Sequence, residues 1–255
     1  MRIRFVINMK FLKMQKIVAS FIHWVKSLLI KIFKKYDGRW AYIITSAIAL
    51  ALFIGGIKLF VELTEELKTT ILASSDTAIS AYITGFRTPY LTKYFVFVTN
   101  LGDALGYLVV FAICTIVFYI AFKRWRYVAQ LAFVMVLALS SNLILKQIIN
   151  RARPEAEHLV SVETLSYPSG HAMMAMAFYG TLLFLISQFP IGKVFKITFI
   201  TMCAILILSI GISRIYLGVH YPSDIAGGYI AGFVWVVFCV MVFNLIQIFK
   251  RDPAT

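Results

Sequence analysis

Charge is scarce in this chain. Charged residues make up 14% of its 255 positions and hydrophobic ones 61%, whereas a water-soluble domain is nearer a quarter charged. That deficit excludes an ordinary soluble enzyme and points to a bilayer. Acid is scarcer still, with 11 Asp and Glu against 25 Lys and Arg. Cysteine is almost missing: Cys114, Cys203 and Cys239 each fall in an apolar run and none belongs to a C-x-x-C pair. This excludes a disulfide framework or a cysteine-built metal site and leaves helix packing as their role. Internal repeats and low-complexity segments are missing too. No small-residue cleavage site follows the basic, apolar N-terminal stretch, so no removable signal peptide is expected.

Long uncharged runs are what the chain has instead. Residues 40–57, 104–122, 127–145, 197–213 and 225–249 contain no Asp, Glu, Lys or Arg, and 164–192 is interrupted by His171 alone. A helix needs roughly 20 apolar residues to cross the hydrocarbon core. The expected fold is therefore all-α, a polytopic membrane protein with six transmembrane helices. Basic residues set its orientation. Ten Lys and Arg precede Trp40, and Lys123, Arg124, Arg126, Lys193, Lys196, Lys250 and Arg251 fall on the same side of the membrane; Asp37 and Asp252 are the only acids there. The positive-inside rule makes that side cytoplasmic, with both termini on it. The net charge of +14 is accounted for in this way and calls for no nucleic acid.

Residues 1–39 read as a basic amphipathic leader on the cytoplasmic membrane surface, with Phe21, Val25, Leu28, Leu29 and Ile32 on one face. Residues 40–255 form one six-span domain whose outer connection, about 61–103, holds short interfacial helices. Ser75 or Asp76 is expected to cap the first of these, Arg87-Thr88-Pro89 to break it, and Asp103 to cap the second span. Gly228-x-x-x-Gly232 predicts close helix packing. Arg151, Glu155 and Glu157 lie in the outer loop without an assigned role.

An ionisable residue at a helix centre costs roughly 2.5–3.5 kcal/mol on insertion scales. Lys146, Arg153, His171, Arg214, His220 and Asp224 nonetheless sit in or beside spans, and the parity of the crossings brings all of them to the outer face. Three permanent cations with Asp224 as the counter-ion call for an anion, and guanidinium forks match phosphate oxygens in pairs. Pro168-Ser169-Gly170-His171 opens a span, so Ser169 and Gly170 offer backbone N–H groups at the positive end of a helix dipole. Phosphoryl transfer needs a neutral imidazole to attack and a protonated one to serve the leaving oxygen. Asp224, one helical turn after His220, can fix that ring's tautomer, which makes His220 the nucleophile and His171 the acid.

Lys146-x6-Arg153-Pro154, Pro168-Ser169-Gly170-His171 and Ser213-Arg214-x5-His220-x3-Asp224 together resemble the three-part signature of the type 2 phosphatidic acid phosphatase superfamily. The match is complete, in order, and covers about 80 residues of the second half. The resemblance implies a phosphohistidine on His220, and His171 as acid and then base. It also implies phosphate held by Lys146, Arg153, Ser169, Gly170 and Arg214, with no metal and no cofactor. The implied substrate is a membrane lipid phosphate or pyrophosphate at the outer leaflet of a bacterial plasma membrane. Phosphatidylglycerophosphate, undecaprenyl pyrophosphate and phosphatidic acid all fit.

Other readings carry less. Two histidines and an aspartate could ligate a metal, but three neighbouring cations repel a dication. A vanadate-dependent peroxidase, to which the resemblance extends, is soluble, against six spans here. A non-catalytic lipid-binding or transport protein has no need of an acid and a nucleophile. No protein partner is evident.

Overall fold

The computed structural model describes residues 39–120, 123, 125–155, 157–162 and 164–250. The amphipathic leader lies outside them apart from Arg39. Among the described residues there are eight α-helices and no strand. They are α1 (Arg39–Glu66), α2 (Thr70–Thr84), α3 (Pro89–Asn100), α4 (Ala104–Ile120), α5 (Trp125–Ile149), α6 (Gly170–Gln188), α7 (Lys193–Tyr216) and α8 (Pro222–Lys250).

By length and composition α1, α5, α6, α7 and α8 can each cross a membrane, and α3 with α4 passes the same test as a pair bent by 61°. The six expected runs are therefore five single helices and one bent pair. Large apolar side chains such as Leu108, Leu139, Ile144 and Ile148 point outward, exposed. Such a girdle is stable only against lipid.

Residues 49–241 form one compact unit, which contains the site; the described residues on either side of it, 39–48 and 242–250, belong to another. Within the second, Asn244 Nδ2 donates to Thr45 Oγ1 at 3.2 Å. Within the first, α6 is the hub. It is 61% buried along its span, against 11–33% for the other single spans, and it packs between α5 and α7. Phe178, Met173 and Leu185 on α6 are fully enclosed, as are Leu131 and Val134 on α5 and Ile210 on α7. In lipid such packing rests on van der Waals fit and interhelical hydrogen bonds rather than on escape from water. Trp235 Nε1 supplies one such bond, donating to Ser141 Oγ at 2.7 Å.

Gly228 and Gly232 bear out the close-packing expectation. A Cβ at Gly228 would lie 2.7 Å from the Ser169 carbonyl oxygen, and one at Gly232 would lie 2.5 Å from that of Met173. The helix that carries Asp224 thus touches the backbone of the helix that carries His171.

One expected cap differs. Thr69 caps α2, its hydroxyl accepting from Leu72 N–H at 3.3 Å. Ser75 is inside the helix and donates to the Ile71 carbonyl. Asp76 is buried, its carboxylate turned to distant partners. A cap is needed where the backbone N–H groups lack partners, and here that is nearly two turns earlier than the polar pair suggests. Thr88 caps α3 in front of Pro89, in line with the expected break.

Candidate active site

Helix ends position the charged residues. α5 closes with Asn150 in the left-handed region (φ 51°), its N–H bonded to the Lys146 carbonyl. Asn tolerates that conformation, which terminates the helix and turns the chain back across the site. Lys146 is left in the last turn, and Arg151 and Arg153 in the loop. α7 ends in Gly218 (φ 81°), where a Cβ would lie 2.4 Å from the Glu157 carbonyl oxygen. His220 follows at once, and Asp224 is in the first turn of α8.

These pieces enclose a cavity of about 560 Å³ lined by Lys146, Arg153, Gly170, His171, Arg214 and His220, together with polar residues of α3 and of the loop before α6. Asp224 and Ser169 lie just behind it, fully buried. The structure therefore brings together every residue singled out in the sequence. Lys146 Nζ donates to Thr164 Oγ1 at 2.9 Å and to the Leu165 carbonyl. Arg153 donates to the carbonyls of Thr164 and Val219, each at 2.6 Å. Arg214 Nη1 donates to Thr99 Oγ1 at 2.7 Å. Arg214 Nε and Ser169 Oγ are buried with no hydrogen-bond partner among the described residues. A buried donor without an acceptor costs on the order of 1–3 kcal/mol, so both mark places where an acceptor belongs.

The histidines differ. His220 is 2% exposed, and its Nδ1 stands 3.3 Å from Asp224 Oδ2. Its Nε2 stands 3.2 Å from Arg153 Nη1. Arginine has donors and no acceptor, so Nε2 accepts and the ring proton sits on Nδ1, facing the carboxylate. Burial, only partly opposed by Asp224, pushes the His220 ring down to about 3. Burial also lowers Arg153, again partly opposed by Asp224. His171 sits at the start of α6, with Nε2 2.7 Å from Asp103 Oδ1 but not aligned as a hydrogen bond. Asp103 therefore faces His171 through its side chain, and it is its carbonyl that enters the first turn of α4, accepting from Tyr107 N–H.

The sequence missed three contributors. Ser166 Oγ donates to Asp224 Oδ2 at 2.5 Å. Arg151 reaches Asp224 Oδ1 at 2.6 Å and Asp76 Oδ2 at 2.8 Å. Asn142 Nδ2 donates to the Pro168 carbonyl at 3.1 Å, steadying the turn before His171. None of them lies in a motif position. The only signal was that Arg151 is a charged residue beside a span and Asn142 a polar one inside it. Among the described residues, no group of three or more His, Cys, Asp or Glu side chains is placed to hold a metal.

Fold and site together define a multi-pass helical membrane protein with a cationic cavity built around two histidines. The family model of the PAP2 superfamily matches residues 127–247, and the chain belongs to that superfamily. It is 32% identical over 179 residues to phosphatidylglycerophosphatase B of Bacillus subtilis, covering 68% of this chain and 85% of that one. Lipid A 1-phosphatase of Rhizobium johnstonii is 32% identical over 110 residues, 39% of this chain and 41% of that one. Among solved structures, a transmembrane PAP2-type phosphatidylglycerolphosphate phosphatase from Bacillus subtilis superimposes with a TM-score of 0.70 at 28% identity. That likeness covers 80% of this chain and 98% of that one. LpxE of Aquifex aeolicus, at 23% identity and a TM-score of 0.53, shares the fold.

Proposed function

We propose that the protein is a metal-independent phosphatase that hydrolyses a phosphomonoester or pyrophosphate of a membrane lipid through a phosphohistidine on His220. The observation that carries this reading is the His220 ring. Its Nε2 lone pair opens on a cavity ringed by Lys146, Arg153 and Arg214, while its proton faces Asp224.

The chemistry follows from that arrangement. Phosphate oxygens take the place of the acceptors now held by Lys146, Arg153 and Arg214, which frees His220 Nε2 from Arg153, and satisfy Arg214 Nε and Ser169 Oγ. His220 Nε2 attacks phosphorus and the bond to the lipid oxygen, or to the bridging oxygen of a pyrophosphate, breaks. His171 gives its proton to that oxygen. Water then attacks the phosphorus of the phosphohistidine, His171 takes the water's proton, and inorganic phosphate leaves with His220 restored. Asp103 Oδ1 stands 2.7 Å from His171 Nε2, beside the proton that this step moves. The basic residues on the opposite side of the spans support an extracytoplasmic site in the plasma membrane.

Phosphatidylglycerophosphate is the first substrate to try, because the relative aligned over 85% of its length is named for acting on it. Phosphate release by purified protein in detergent, from that lipid, undecaprenyl pyrophosphate, phosphatidic acid and a lipid A phosphate, tests the function. Release from none of the four would overturn it.

A further inference from the structure

Behind His220, away from the cavity, Asp224 shares a cation with a second buried carboxylate. Asp76 on α2 and Asp224 on α8 are 2% and 0% exposed, 148 positions apart in sequence yet joined through Arg151. Nη1 of Arg151 meets Asp224 Oδ1 at 2.6 Å and Nη2 meets Asp76 Oδ2 at 2.8 Å. Asp76 has a second attachment to the same place. Its Oδ1 accepts from Ser223 N–H at 2.9 Å and its Oδ2 from Ser223 Oγ at 2.5 Å. A residue of α2 thus caps the first turn of α8, the turn that holds Asp224. The Arg151 guanidinium is stacked 4.4 Å above the Tyr221 ring.

We propose that Arg151 and Asp76 are positioning residues for the His220–Asp224 pair: Arg151 keeps Asp224 ionised and turned toward His220, and Asp76 holds Arg151 and the α8 N-terminus in register. The proposal rests on the phosphatase reading above and extends it to two residues outside the three motifs.

The charge balance explains why both are needed. Asp224 faces His220 and Ser166 from the loops, Arg151 beside Tyr221, and Asp76 from α2. Lys146, Arg153, Arg214 and Tyr167 act on the same pocket from further off. Two unsolvated carboxylates around Ser223 repel each other, and Arg151 is the cation that touches both. Although burial pulls it down, the carboxylates hold Arg151 above its ordinary value. Without it, the two carboxylates are left with no cation between them, and Asp224 no longer keeps the charge and orientation that stabilise His220 during phosphorylation.

Arg151→Met should then lower kcat about 10- to 100-fold, the range seen when a group supporting a reacting residue is lost, with KM within about threefold. The acid limb of its rate profile should move up by about one pH unit. Asp76→Asn keeps the cap acceptor and removes the competing charge. Added to Arg151→Met, it should restore activity at least about fivefold and return the acid limb, the coupling expected of residues in one charge network. A purely structural role predicts the opposite: losses that add up, unchanged in pH profile. Equal or lower activity in the double variant overturns the proposal. Should Arg151→Met not be recovered folded, Arg151→Lys takes its place, since a single ammonium cannot fork between both carboxylates; Asp76→Asn must raise its kcat, and no gain is again fatal. Wild-type protein inactive on every lipid phosphate would overturn the phosphatase reading and this proposal together. Active wild type without rescue would overturn this one alone.

Discussion

Arg153 stands 3.2 Å from His220 Nε2, and it has no lone pair to offer. The contact therefore fixes which nitrogen of His220 bears the proton, and it places the Nε2 lone pair, which accepts from Arg153, where three cations converge.

The two histidines should separate cleanly when phosphoenzyme is trapped. His220→Ala should carry no label from radioactive lipid phosphate and should turn over at background. His171→Ala should still be labelled, since attack survives loss of the acid, with turnover reduced roughly a hundred- to ten-thousand-fold. An activated aryl phosphate, whose leaving group needs no proton, should recover part of that loss. Label on His220→Ala would reverse the two roles or end the covalent mechanism.

Activity should persist in excess EDTA, because cations of the protein do the work a metal ion would otherwise do. Orthovanadate should compete with lipid phosphate, its trigonal bipyramid resembling the transferring group. Inactivation by EDTA with recovery on adding magnesium or zinc would refute the first expectation. Turnover indifferent to millimolar vanadate would refute the second.

Orientation can be read on intact cells. His158→Cys, in the loop beside the cavity, should react with a membrane-impermeant maleimide, and Arg124→Cys should not. The reverse pattern would put the chemistry on the cytoplasmic side and change the pool of lipids it can meet.

Acid should weaken the fold partly through His220. Its ring is held at about 3 when folded and returns to about 6.5 when unfolded. Between those values the unfolded chain binds a proton that the folded one does not. Stability therefore falls as pH drops below about 6.5, by up to about 1.4 kcal/mol per pH unit from this group. Melting curves in detergent from pH 7.5 to 5 should show a steeper fall for wild type than for His220→Gln. Parallel curves would mean the ring is not held neutral.

How much of this could be seen in the sequence depends on what a membrane makes rare. Lys146, Arg153, His171, Arg214, His220 and Asp224 stood out because charge beside an apolar run is costly, and counting crossings was enough to bring them to one face. Asp76 could not be read correctly by the same means. A short carboxylate beside a helical segment looks like a local cap, and nothing in the periodicity of α2 reveals that its partner is Ser223. Asp103 does stand at the start of α4 as expected, but its side chain goes to His171. Arg151 was hidden among other loop residues because its two carboxylates come from elements that meet only in three dimensions. The bend between α3 and α4 escaped too, since each half is unremarkable in composition.

The bend has a consequence for where this protein can be cut. The segment that matches the superfamily, residues 127–247, holds all three motifs. Yet Thr99, which accepts from Arg214, and Asp103, which faces His171, both belong to the elbow upstream of it, and Asp76 lies earlier still. A fragment trimmed to the matched segment would keep each signature residue, leave Arg214 and His171 without their counterparts, and leave Ser223 and Arg151 without Asp76. Expressed alone, it should neither bind nor cleave; supplied with residues 39–120 as a separate chain, it becomes a direct measure of how much of the site is borrowed from the half that bears no signature.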